Sequence, residues 1–137
     1  NIDFTGSQTA DTNDDLTVAH IHGPALPTAN AGVVWGFIGT PFNDTNPTDT
    51  VVTPFESGVG GTVVTKWDAP EGNAGTTLTA QISNILNGLT YLNFHTVQYP
   101  GGEIRGQIVP EPTALVLLGV GWAGLLGCRR RRPRQTS

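Results

Sequence analysis

Alternation of apolar and polar positions predicts a chain built from short strands. Residues 16–22 (Leu16-Thr17-Val18-Ala19-His20-Ile21-His22) run from an Asp- and Asn-rich stretch to the breaker Gly23-Pro24. Residues 33–38 are almost continuously apolar, which predicts a buried strand. Residues 51–55 and 62–67 are further strand candidates around Gly58, Gly60 and Gly61, and Pro54 confines the first to a sheet edge. The period then changes. Leu78, Ile82, Ile85, Leu86 and Leu89 fall at helical spacing, and Asn87-Gly88 supplies a C-terminal stop. Two alternating runs follow, 91–97 and 103–109, joined by Gln98-Tyr99-Pro100-Gly101-Gly102 as a hairpin. Pairing Val97 with Glu103 sets His95 opposite Arg105 and Asn93 opposite Gln107. One face is then Leu92, Phe94, Ile104 and Ile108, and the other is Tyr91, Asn93, His95, Glu103, Arg105 and Gln107.

Many short strands, Gly/Pro punctuation and one helical run predict an all-β fold: a Greek-key-like β-sandwich or open barrel with one short helix, plus a C-terminal transmembrane helix. The body spans residues 1–109 and the tail 110–137. The tail begins Pro110-Glu111-Pro112, continues as the uncharged run 113–128, and closes on Arg129, Arg130, Arg131, Arg132 and Arg134. Arginine is costly in hydrocarbon and is retained on the cytoplasmic side, so this order predicts a body outside the cytoplasm. At about 1.5 Å per residue the run gives a helix of about 24 Å, short of a hydrocarbon core about 30 Å thick. A short, glycine-rich span is a marginal anchor, suited to processing.

The net charge of −4 conceals an asymmetry. Before Pro110 only Lys66 and Arg105 are cationic, against ten carboxylates, which excludes nucleic-acid binding through phosphate contacts. Cys128 is the only cysteine, so no internal disulfide forms. An exported chain also needs an N-terminal leader, and one is expected ahead of Asn1.

His20 and His22 share a strand face, and His95 lies on another strand; these three are the candidate metal ligands, for copper or zinc. The competing reading has each imidazole hydrogen-bonded to backbone and polar side chains, and the sequence favours it. Glu103 and Arg105 offer a polar hairpin face for a carboxylated or sugar ligand, against plain cross-strand pairing. Asp11 to Asp15 resembles a calcium loop only loosely, since Leu16 stands where an EF-hand needs glycine; a solvated loop is expected there. Trp35 and Trp67 are expected in the core. No nucleophile elbow or phosphate loop occurs, so no enzyme is expected.

Ala19-His20-Ile21-His22-Gly23-Pro24, then Tyr91-Leu92-Asn93-Phe94-His95-Thr96, then Gly101-Gly102-Glu103-Ile104-Arg105-Gly106-Gln107 together resemble the chordin-type CHRD domain. The resemblance implies a β-sandwich distantly similar to Cu/Zn superoxide dismutase, with a further strand pair ahead of Asn1. That enzyme's copper-binding His-x-His strand is the reason to weigh a metal here. The missing fourth histidine, second metal cluster and disulfide argue against dismutase activity. The tail resembles the PEP-CTERM sorting signal of Gram-negative bacteria. It implies export, anchoring in the inner membrane through the C-terminal helix, and removal of the tail by an exosortase, with the body passing to the cell surface or beyond. The expectation is thus a non-enzymatic surface or matrix protein without cofactor, working by binding or structure among exopolysaccharide or envelope components. Its alternative is a copper or zinc protein using His20, His22 and His95.

Overall fold

Strand β1, Leu16–His22, is the middle of the molecule, pairing antiparallel with β2 (Val33–Ile38) on one side and β5 (Thr90–Thr96) on the other. With β6, Ile104–Ile108, these make a four-stranded sheet of order β2-β1-β5-β6. β3 (Val51–Pro54) and β4 (Gly61–Val64) form a separate two-stranded antiparallel sheet. The one helix, α1, runs Leu78–Leu86. The computed structural model describes residues 1–110. The architecture there is mostly β, with two sheets and one short helix. The predicted transmembrane helix and the arginines 129–132 and 134 lie outside the described residues, as do Glu111 and Pro112. Among the described residues no helix is long and apolar enough to cross a membrane.

The core follows from the alternation. Ala19 and Ile21 of β1 join Val34, Trp35 and Phe37 of β2, and Leu92, Phe94 and Ile108 complete the layer from β5 and β6. Val63 and Trp67 pack onto it from the chain of the small sheet, with the Trp67 ring stacked 5.4 Å from Trp35. Both tryptophans are therefore packing residues. Burying a side chain such as Phe37, 2% exposed, stabilises the fold by about 1.5–3 kcal/mol.

Two elements differ from the sequence reading. The β5–β6 hairpin is slipped by two residues: Asn93 faces Arg105 and Tyr91 faces Gln107. The Glu103 N–H donates to the Phe94 carbonyl at 2.7 Å, so the loop is longer than the five residues expected. Because side chains alternate with period two, a slip of two keeps every residue between Ile104 and Ile108 on its predicted face. Glu103 itself, ahead of the strand, leaves that face; its carboxylate accepts from Thr96 Oγ1 at 2.7 Å.

The helix starts where Thr77 caps it, its hydroxyl accepting the Ala80 N–H, a contact worth about 1 kcal/mol. Only part of its apolar stripe turns inward, with Leu78 and Ile85 half-buried. Ile82 and Leu86 are exposed, and the residue buried is Gln81, whose amide donates to Thr76 and accepts from Asn84.

Candidate functional site

Cross-strand neighbours share a sheet face, and β1 makes one face chemical. His20 sits between Gly36 and Asn93, and His22 pairs with Tyr91. Asn93 and Tyr91 in turn pair with Arg105 and Gln107. The two candidate sites read separately in the sequence, the histidines and the polar hairpin residues, therefore occupy one face. Loops roof it, and all three histidines are more than nine-tenths buried, at 4%, 8% and 7% exposure for His20, His22 and His95.

The imidazoles form a triangle, with ring centres 5.3, 5.8 and 5.9 Å apart. One nitrogen from each lies within 4.8 Å of the others. Three imidazoles bound to one ion at about 2.0–2.1 Å would hold their nitrogens somewhat closer, a closure that small side-chain rotations supply.

Hydrogen bonding fixes which nitrogens face the gap. His22 Nδ1 is 2.9 Å from the Ala31 carbonyl and His95 Nδ1 is 2.8 Å from the Pro100 carbonyl. A carbonyl only accepts, so in the neutral rings Nδ1 carries the proton and Nε2 a lone pair. Both Nε2 atoms are buried without a partner, and neither nitrogen of His20 makes a hydrogen bond of normal geometry, although the Thr40 backbone lies near enough to act weakly on it. The expectation that backbone and polar groups would satisfy these imidazoles therefore holds at two nitrogens and fails at four. A buried acceptor left unmatched costs about 1–3 kcal/mol, and here the unmatched atoms converge.

The same enclosure favours the neutral form of His20 and His22. Burial, reinforced by the neighbouring His95 and His22, lowers the His20 pKa from 6.5 to about 4. His22 is also lowered, first by burial, then by His95 and Arg105, against the opposing Ala31 hydrogen bond. Neutral imidazoles are the form that binds metal.

Tyr91 and Arg105 complete the face. The Tyr91 ring stacks on His22 at 5.0 Å, with the Arg105 guanidinium 3.4 Å from the Tyr91 ring centre. Arg105 donates to Asn30 Oδ1 and the Leu26 carbonyl, and Gln107 to the carbonyls of Ala25 and Gly88. The Tyr91 hydroxyl accepts the Ala31 N–H at 3.2 Å. These side chains strap the loop between β1 and β2, which carries the carbonyl that orients His22.

Residues that pattern reading missed also matter. Gly36 lets the backbone of Pro41 cross beside His20: a Cβ there would lie 1.8 Å from the Pro41 oxygen and 3.0 Å from His20 Cδ2. Glu71 is buried and accepts from the N–H groups of Thr45, Asn46 and Asp68 and from Trp35 Nε1. Asp44, also buried, accepts from the N–H groups of Asp49 and Thr50 and the Thr50 hydroxyl. These carboxylates organise the long loop after β2. Residues 11–13 of the acidic loop are exposed and Asp14 and Asp15 half-buried, while Asp3 ahead of it is fully buried and accepts from the N–H groups of Thr5, Gly6 and Thr9. Asp14 and Asp15 approach it, but Asp3 is already matched by these donors.

A family model for the CHRD domain matches residues 1–108. The chain belongs to the CHRD domain family. A second model, for the PEP-CTERM protein-sorting motif, matches residues 109–132. Joined to that signal, this CHRD domain belongs to a protein exported and sorted to the cell envelope, processed by exosortase-type machinery and associated with the membrane. No curated protein and no solved structure matches the chain.

Proposed function

We propose that this envelope-sorted CHRD protein is a non-enzymatic metal-binding module, holding one copper or zinc ion on His20, His22 and His95. The observation that supports this most is the convergence of unpartnered, buried imidazole nitrogens, two of them aimed by Nδ1–H bonds to carbonyls. A ring nitrogen anchored to a carbonyl while the other ligates is the usual outer-shell arrangement of protein metal sites. Burial favours holding over turnover, because each of the three imidazoles is more than nine-tenths covered. We read the two sheets as parts of a Greek-key-like sandwich, with the body outside the cytoplasm and released to the surface once the tail is processed.

The test is titration of the full chain with Cu²⁺ and Zn²⁺ against chromophoric chelators. One equivalent should bind, and His22→Gln and His95→Gln should each weaken binding by at least a hundredfold. Absence of a saturable site for zinc and for copper in either oxidation state, or unchanged affinity in both variants, refutes the reading.

A further inference from the structure

The geometry points to copper(I), rather than a divalent ion, as the occupant of the three-histidine site, an inference that rests on the metal-binding reading. Three features of the face lead there independently.

The first is charge. All three ligands are neutral imidazoles, and among the described residues no carboxylate or thiolate joins the cluster. The bound ion therefore keeps its full charge inside the protein. The Born cost of moving an ion out of water grows with the square of its charge, so a dication bears about four times the penalty of a monocation of similar size.

The second is coordination number. Copper(II) prefers a tetragonal set of four or more donors, and zinc a tetrahedral four. Three donors come from this face, and their Nε2 atoms are sealed from water, so solvent does not readily complete either set. Copper(I) is a closed-shell d¹⁰ ion without a geometric preference from its d electrons, and three imidazoles suffice for it.

The third is the guanidinium. Arg105 stands one ring away, over Tyr91, which itself stacks on His22. A fixed positive charge repels a dication twice as strongly as a monocation at the same distance. The Arg105 guanidinium is held by Asn30 and the Leu26 carbonyl, so it is fixed to this loop.

The experiment is a paired titration of the full chain. Copper(I) is supplied anaerobically against a copper(I)-selective chromophoric chelator, copper(II) against a weaker amino-acid competitor, and zinc in a third arm. The expected result is one copper(I) bound at least tenfold more tightly than copper(II) or zinc. For this one-electron couple a tenfold preference raises the potential of the bound copper by about 59 mV over the free ion. Arg105→Gln should narrow the copper(I)-to-copper(II) preference without changing the stoichiometry. A single saturable site that takes copper(II) or zinc as tightly as copper(I) overturns this inference and leaves the metal-binding reading standing. No saturable binding of any of the three overturns both.

Discussion

Gly36 is the residue on which the geometry of His20 turns. Its missing side chain leaves the gap through which Pro41 passes, and that passage closes the roof over the imidazole. Adding one methyl forces backbone to move, since the contact at 1.8 Å is with a carbonyl oxygen rather than a flexible side chain. Gly36→Ala should destabilise the fold by about 1–3 kcal/mol, read as a lower urea midpoint, and weaken metal binding with it. An unchanged midpoint contradicts the model of a closed roof. At this scale the sequence announced the histidines but not their environment. His-x-His on a strand guarantees a shared face by period alone. Whether the nitrogens on that face are matched depends on Ala31, Pro100 and Gly36, three positions whose side chains carry no signal.

Among the elements, the strands were the most legible. β1 and β2 start and stop where their apolar runs do, because Gly23-Pro24 and Gly39 end the alternation sharply. Hairpin register was less so: composition identifies the turn but not how many residues it takes up, and the Glu103–Phe94 hydrogen bond decides that. The helix misled in a different way. Its apolar spacing locates the helix but not its orientation: Gln81, tied to Thr76 and Asn84, is buried beside the half-buried Leu78 and Ile85, while Ile82 and Leu86 are exposed. The loop between β1 and β2 carries no motif of its own, yet Tyr91, Arg105 and Gln107 make it part of the site. Tyr91→Phe removes the acceptor for the Ala31 N–H while keeping the ring stacked on His22. Metal affinity should fall by about tenfold, in the range typical of lost outer-shell contacts, with the circular dichroism spectrum unchanged. An affinity equal to that of the parent rules out the strap as a positioning device.

The molecule as a whole should be sensitive to acid in two separate windows. His20 is held neutral, with its pKa lowered from 6.5 to about 4, chiefly by burial. The unfolded chain takes up that proton first, so the contribution is intact above about pH 6.5 and is lost as pH falls to about 4. Asp3 acts lower. Burial opposes its ionisation, but N–H donors from Thr9, Thr5 and Gly6 outweigh this and bring its pKa from 3.8 to about 2. Its contribution is present above about 3.8 and disappears as pH falls to about 2. Denaturation of the metal-free chain followed from pH 8 to 2 should show both declines, and His20→Gln should make the upper one shallower, with His22 supplying the rest, and leave the lower one unchanged. If His20→Gln leaves the upper decline in place, the buried neutral imidazole is not its source.

The strand that carries Arg105 and Gln107 is also the last of the domain. β6 is an edge strand ending at Ile108, and the match to the sorting motif begins at residue 109. The CHRD match ends at residue 108, so the strand that closes the histidine face is also the one that leads into the sorting signal. If the proposed ion occupies this face, cutting the tail changes where the metal can travel as well as where the protein resides.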